Sequence, residues 1–330
     1  MKSYKNILLI NFGGIGDEIL FLPVLHNLKK TFPNAKITLC IEGRSKGFVN
    51  LTDSLDSYFC VDIKTKNKYI EMLKLYFKAL FGKYDLVISS GSNPLISLLL
   101  FFTGIKERAG YSTNKISEKL LTIPVKLNKN QYAANMYFDL IKSITNGEFE
   151  LPKINVQDCE KIPNSVLIHP GVSKVSILKG ITKTISAEKW SELIKKLLNK
   201  GKTVYLAGGP DDTDCIKQIR NEIKNIDFPN FVDVFGKTKN IYELAELIKK
   251  SEVLLCSDSA PMHIGVATNT KTIAIFGPTD DSVLLPQNNE KFITIKNNVD
   301  CRPCLWNKRQ TTCSNLECLD IDLNEILKHL

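Results

Sequence analysis

Apolar runs that end in glycine or small polar residues, each followed by an amphipathic stretch, recur along this 330-residue chain. No other feature constrains its fold as tightly. Residues 6–12 are apolar and end at Gly13-Gly14; residues 17–31 then place Ile19, Leu20, Leu22, Val24, Leu25 and Leu28 at near-helical spacing before Pro33. This predicts a buried strand followed by a helix. The same alternation predicts strands over 36–41 and 86–89, and helices over 68–81, 94–102 and 132–144. Asn146, Gly147, Pro152 and Pro163 mark a polar linker, after which the pattern restarts. Strands are predicted over 166–169, 203–207, 253–256 and 272–276, and helices over 186–199, 214–223, 241–250 and 261–267. Alternation of this kind builds parallel sheets with ligands at the C-terminal strand ends. The reading is an α/β chain of two Rossmann-like domains, 1–155 and 156–330, whose parallel sheets face a central cleft suited to a small molecule.

Composition narrows the partners. Hydrophobic residues make up 43% and charged residues 24%, which excludes a disordered chain and leaves apolar material for two cores. The longest apolar stretch, 95–102, is broken by Ser97, and a bilayer span needs roughly 20 residues. The opening MKSYKNILLINFGG reads as a lysine-flanked first strand and not as a signal peptide, so a cytoplasmic protein is expected. The net charge of +9 is uneven: residues 1–150 carry 20 Lys and Arg against 13 Asp and Glu, residues 151–330 carry 24 against 22. The N-terminal half favours an anionic partner (nucleic acid, anionic lipid or a phosphorylated substrate), or it presents a lysine-rich solvated surface.

Several motifs carry groups capable of chemistry. Gly13-Gly14-Ile15-Gly16-Asp17 follows the first strand but lacks the x-x-G tail of a dinucleotide fingerprint, which speaks against an oxidoreductase. Asp17 either caps the next helix or projects into the cleft. His169-Pro170-Gly171 leads into Lys174, Lys179 and Lys183, which form a solvated basic loop or the counter-charges of a phosphate-bearing ligand. Ser257-Asp258-Ser259-Ala260-Pro261-Met262-His263 turns from strand to helix, and its N–H groups make an anion site. Pro261 suits the helix start, where a missing N–H costs nothing. Phe276-Gly277-Pro278-Thr279 is a tight turn at a strand end. Cys301, Cys304, Cys313 and Cys318 crowd the tail. They make a thiolate metal site, two disulfides or four reduced thiols. A metal would pin a C-terminal segment, with Leu305, Trp306 and Leu319, that is expected to have little core of its own.

Taken in order, these motifs resemble glycosyltransferase family 9, the bacterial heptosyltransferases of lipopolysaccharide core assembly. The resemblance begins with Gly16-Asp17, Leu22-Pro23 and Phe32-Pro33-Asn34-Ala35-Lys36-Ile37. It continues through His169-Pro170-Gly171, Lys183 seven residues before Trp190, and Leu206-Ala207-Gly208-Gly209-Pro210. It ends with Asp258 to His263 and then Phe276-Gly277-Pro278-Thr279, and the cysteine-rich tail 301–318 is similar to one in many members. Ala260 departs from the family's glycine, and its methyl group is expected to crowd a diphosphate and to disfavour positive φ. The 172–185 loop is longer than usual, so Lys174 and Lys179 compete with Lys183.

The resemblance implies a GT-B architecture and an inverting transfer. Domain 1–155 would take the acceptor, with Gly14 and Gly16 on its side of the site. Domain 156–330 would hold the donor through Gly171, Lys183, Gly208, Gly209, Asp258, Ser259, Ala260, Pro261, Met262 and His263. A heptose would move from a nucleotide-diphosphate donor, ADP-heptose by preference, to a lipopolysaccharide core or related glycan. Asp17 would be the general base, and Lys183 would meet the charge developing on the leaving group. Carboxylates are weak bases, but the attacking hydroxyl acidifies only as its bond forms. No cofactor is required for the chemistry; zinc or iron at Cys301, Cys304, Cys313 and Cys318 would be structural. The acceptor is expected to be an anionic glycan or glycolipid at the inner face of the inner membrane, with no nucleic acid involved. The competing readings are a catalytically silent nucleotide-sugar or glycan-binding relative, and transfer to a protein acceptor.

Overall fold

Ile7 to Ile10 are fully buried in the strand β1 (Asn6–Ile10). A strand without a polar face fits only the middle of a sheet covered on both sides. In the computed structural model, which describes residues 2–224, 228–305, 313 and 315–330 (side chains 174 and 175 excepted), β1 takes that place. It pairs in parallel with β2 (Lys36–Ile41) on one side and, after β3 (Ser57–Cys60) in chain order, with β4 (Leu86–Ser89) on the other. With β5 (Glu107–Tyr111) and β6 (Ile123–Val125) the order is β3-β2-β1-β4-β5-β6. These strands belong to the first of two units, Met1–Asn155 and Val156–Leu330.

The second unit repeats the plan. Its strands are β7 (Ile162–His169), β8 (Thr203–Leu206), β9 (Phe231–Asp233), β10 (Ser251–Ser257), β11 (Lys271–Phe276) and β12 (Phe292–Lys296). The order is β12-β11-β10-β7-β8-β9, again with parallel pairs throughout. Counted from its own first strand, each sheet has the doubly wound order of a Rossmann fold. The order reverses between β1 and β4 in one unit and between β7 and β10 in the other. In such sheets the loops at the C-terminal ends of these strand pairs form the ligand crevice.

The elements over 36–41, 68–81, 86–89 and 94–102 are found with the expected bounds. The predicted helix over 17–31 is instead two helices, Ile15–Leu20 and Leu22–Thr31. Pro23 has no N–H to give the carbonyl of Ile19. The Phe21 N–H bonds the Asp17 carbonyl at 3.1 Å, and the Val24 N–H restarts the ladder on Phe21 at 3.0 Å. The helix predicted over 132–144 is shorter, Ala133–Asp139. Strand β7 starts at Ile162, ahead of the predicted 166; Pro163 falls where its pairing with β10 shifts register, a position that tolerates proline. The strands β3, β5, β6, β9 and β12 lay outside the sequence reading.

One expectation about the tail is overturned. Cys318, Leu319, Ile321, Leu323 and Ile326 are buried in the core of the second unit with Trp190, Leu193, Ile194 and Leu197 of the Ala187–Asn199 helix. The end of the chain is part of this core and does not lack one. Leu319 packs so close to Gly277 that a Cβ there would come within 2.8 Å of its Cδ2. Trp306 lies outside the described residues. Ile326→Ala should therefore cost about 2–5 kcal/mol, the range for a buried aliphatic truncation. Denaturant unfolding measures it; a loss under about 0.5 kcal/mol, the scale of a surface change, would detach the tail from the core.

Candidate active site

At the reversal point of the first sheet, β1 ends at Ile10 and the chain turns through Gly13-Gly14 into the Ile15–Leu20 helix. Asp17 stands three residues after Gly14 and reaches back: its Oδ2 accepts from the Gly14 N–H at 2.8 Å. A Cβ on Gly13 would lie 2.3 Å from the Asp17 Cβ, so only glycine lets the loop pass. Burial, and then the facing Asp17 carboxylate, push the Tyr137 phenol well up. Asn11 donates to the Asp17 carbonyl at 3.3 Å and to Glu18 Oε2 at 3.0 Å, and Ser90, just past β4, donates to the Asn11 side-chain oxygen. Glu18 is fully buried, and burial raises its pKa well above the ordinary carboxylate range. Asp17 thus does cap its helix, as the simpler reading held. A carboxylate has roughly four lone-pair sites, so one cap leaves it capacity to take a proton.

At the reversal point of the second sheet the central group is Asp258, 3% exposed, just beyond β10. Its Oδ2 accepts from Lys183 Nζ at 2.9 Å and from Thr279 Oγ1 at 2.6 Å. Burial would push this carboxyl up; Lys183, the Thr279 hydroxyl and His263 outweigh it and hold it below the usual range. Three motifs distant in sequence meet on one carboxylate. The structure also separates two lysines of the 172–185 loop: Lys183 is largely buried, whereas Lys179 is exposed; the side chain of Lys174 lies outside those described. The interval from Lys183 to Trp190 has a physical reason. Trp190 Nε1 donates to Thr184 Oγ1 at 2.9 Å, and that hydroxyl donates to the Pro170 carbonyl at 2.6 Å. Ser257 Oγ lies 2.9 Å from both Thr184 Oγ1 and the Pro170 carbonyl. The tryptophan anchors the residue beside Lys183.

The glycines at 171, 208 and 209 gather around a residue the sequence reading missed, Asp212. A Cβ on Gly171 would come within 1.8 Å of Asp212 Oδ1, and one on Gly208 within 3.2 Å of the Asp212 Cβ. The Gly209 N–H donates to Asp212 Oδ2 at 2.7 Å, and His169 Nε2 lies 3.8 Å from the same oxygen. Burial raises the Asp212 carboxyl and lowers the His169 imidazole. The signal was present in the sequence: Gly13-Gly14-x-x-Asp17 and Gly208-Gly209-x-x-Asp212 share one spacing and fold into one device, a carboxylate turned back onto the second glycine.

The turn after Asp258 differs from expectation in two respects. Ala260 opens the Ala260–Ala267 helix and is not among the described non-glycine residues with positive φ, so its methyl group brings no backbone strain. Met262 is fully buried, and its N–H donates to the Ser259 carbonyl at 3.0 Å. Pro261 and His263 are also buried, while Ser259 and Ala260 are the half-exposed residues of the turn.

The structural metal is not supported. Among the described residues no group of three or more His, Cys, Asp or Glu side chains is placed to hold an ion. The four thiols do share a neighbourhood: Cys318 is raised by burial and then by Cys301, Cys304 and Cys313. All four are free cysteines, and Cys313 Sγ donates to Asn315 Oδ1 at 3.1 Å. The tail beyond them is held in the core of the second unit by Leu319, Ile321, Leu323 and Ile326.

Comparison with known proteins gives the class and then the family. The fold resembles that of an Escherichia coli ADP-heptose lipopolysaccharide heptosyltransferase II, with a TM-score of 0.74 at 18% identity over 98% of this chain and 97% of that one. It resembles an E. coli heptosyltransferase with ADP-2-deoxy-2-fluoro heptose at a TM-score of 0.67 and 16% identity, over 89% and 93%. The fold is GT-B. Residues 73–315 match the profile of glycosyltransferase family 9 (heptosyltransferase), and the chain belongs to that family. Lipopolysaccharide heptosyltransferase 3 of E. coli K12 is 26% identical over 280 residues, 80% of each chain.

The tail thiols should react in two classes. Cys301 and Cys313 are exposed, whereas Cys304 and Cys318 are more buried and both raised above the ordinary thiol pKa. A thiol reagent at neutral pH should label the first pair ahead of the second, because the thiolate is the nucleophile. Mass mapping of the labelled peptides reads the order; uniform protection of all four, lifted by a chelator, would restore the metal.

Proposed function

We propose that the chain transfers a heptose, with inversion, from a nucleotide-diphosphate donor of the ADP-heptose type to a lipopolysaccharide core or related anionic glycan acceptor. The observation that carries this reading is the meeting of Lys183, Asp258 and Thr279 where the strand order of the second sheet reverses, beside the start of the Ala260–Ala267 helix. A buried carboxylate holds one lysine in place, and that lysine has three N–H donors. It can keep Asp258 and still give a proton donor to a phosphate oxygen. The half-exposed turn at Ser259 and Ala260 adds the positive end of a helix.

The first unit takes the acceptor in this reading, with Gly14 and Gly16 in the loop that carries the base. The acceptor oxygen attacks the anomeric carbon and the carbon–oxygen bond to the diphosphate breaks. The bonding pair goes to the diphosphate oxygen, and the acceptor proton goes to Asp17. The Gly14 N–H and the Tyr137 contact hold Asp17 in one orientation, which supplies the geometry that a weak base needs. Lys183 and the turn meet the charge that grows on the leaving group. The unstrained backbone at Ala260 leaves only its methyl group's crowding of a diphosphate on the side of a silent binder.

Two variants test the reading. Asp17→Asn should leave ADP affinity unchanged in calorimetry and lower transfer by roughly two to four orders of magnitude, the range of general-base loss. Lys183→Ala should weaken ADP binding and slow transfer together, because it meets charge already present in the ground state. Near-normal transfer by the Asp17→Asn enzyme would reduce Asp17 to its capping role, and unchanged ADP affinity in the lysine variant would remove the donor from this site.

A further inference from the structure

The Lys68–Phe81 helix of the first unit has two apolar faces. Leu75 and Ala79 enter the core with Leu8, Ile10 and Val87. On another side Tyr69, Ile70, Leu73, Phe77, Leu80 and Phe81 lie open, Tyr69 and Phe81 each 73% exposed. At about 100° per residue these six fall within roughly 120° of arc. The Pro94–Phe102 helix repeats the arrangement: Ile96 and Leu100 are buried, while Leu95, Leu98, Phe101 and Phe102 are exposed. The Tyr76 hydroxyl donates to the Phe102 carbonyl at 3.4 Å, so the two helices touch. Of the 14 large hydrophobic residues exposed among the described residues, 11 lie between positions 69 and 116. Exposed apolar residues are normally scattered, and a patch of them marks an interaction surface.

Positive charge predominates in the chain around this patch. Between residues 64 and 119, ten Lys and Arg stand against four Asp and Glu. Three of those acids are already engaged: Asp85 accepts from the Lys5 and Asn6 N–H groups, Glu107 from Lys2 and Tyr4, and Glu71 from the Asp62 N–H; of the cations, Lys64 is paired with Glu42 and Lys74 with Glu71, which leaves eight. Two of the cations lie over aromatic rings of the patch, Lys68 5.0 Å from the Tyr69 centroid and Arg108 5.5 Å from that of Phe101. A second copy docked on this face by a twofold axis would set lysines against lysines. A bilayer with anionic headgroups offers the complement: apolar depth for the phenylalanines and leucines, ringed by negative charge for the lysines.

We propose that this face, formed by the Lys68–Phe81 and Pro94–Phe102 helices, seats the protein on the surface of an anionic lipid bilayer. No helix among the described residues is long and apolar enough to cross a membrane, so the protein would lie on the surface. The inference rests on the surface alone and goes beyond the transfer reading; neither depends on the other.

Vesicle co-sedimentation of the full chain tests it. The protein should bind vesicles of phosphatidylcholine with added phosphatidylglycerol, bind phosphatidylcholine alone far more weakly, and be released by salt. Phe77→Ser with Phe81→Ser, and separately Lys78→Glu with Lys83→Glu, should each weaken binding by roughly tenfold or more. Melting temperature and ADP affinity should not change in either, because all four side chains are exposed. No binding to anionic vesicles, equal binding to neutral ones, or binding indifferent to both double variants would overturn the proposal. A concentration-dependent dimer in light scattering that the phenylalanine variant abolishes would also overturn it, assigning the face to a second copy. Vesicle binding without sugar transfer would sink the transfer reading and leave this inference standing.

Discussion

A carboxylate taken out of water is expensive, by several kcal/mol after the protein has relaxed around it. Asp258 is 3% exposed, so the fold must answer its charge, and three separate segments do. Lys183 comes from the loop after β7, Thr279 from the turn after β11, and His263 from the helix that follows β10. Breaking any one partner would leave buried charge under-compensated, which makes the arrangement rigid. Rigidity is what a leaving-group site requires, because donors fixed in advance need no reorganisation when charge develops.

The same principle explains the anchoring of Lys183. A lysine on a long loop has many rotamers to lose, and an exposed ion pair rarely repays that loss. Here the adjacent Thr184 is fastened to Trp190 and Pro170, with Ser257 beside it. Trp190 is itself fully buried in the core of the second unit. Position is therefore passed from the hydrophobic core, through one indole N–H and one hydroxyl, to the residue next to the cation.

Asp17 and Asp212 show how one local device can serve two ends. Each lies three residues after the second glycine of a pair and binds that glycine's N–H. Asp212 follows β8, one strand over from the reversal, and its surroundings are a buried histidine at the end of β7 and close-packed glycines. Asp17 follows β1, beside the reversal, with Tyr137 against it and Asn11 and Glu18 behind. The cap is common to both; the position in the sheet separates them.

Much of this was legible in the residues alone. The run Ile7 to Ile10 has no polar face and could only be a central strand, whereas the helices over 68–81 and 94–102 are apolar on two faces, and which face enters the core was left to the fold. The break at Phe21 was also written in Pro23, although the apolar spacing across it hid the point. Strands such as β5, which reads Glu-Arg-Ala-Gly-Tyr, could not be read, because strands toward a sheet's edge owe their conformation to a neighbour's hydrogen bonds and not to their own pattern. The motifs around Lys183, Asp258 and Thr279 were visible as separate turns. That one buried carboxylate joins them, that Asp212 crowds Gly171 and Gly208, and that the tail ends in the core of the second unit through Ile326, were decided by tertiary structure. Each depends on a contact between residues far apart in the chain, and local spacing carries no information about such a contact until the sheets have brought the ends together.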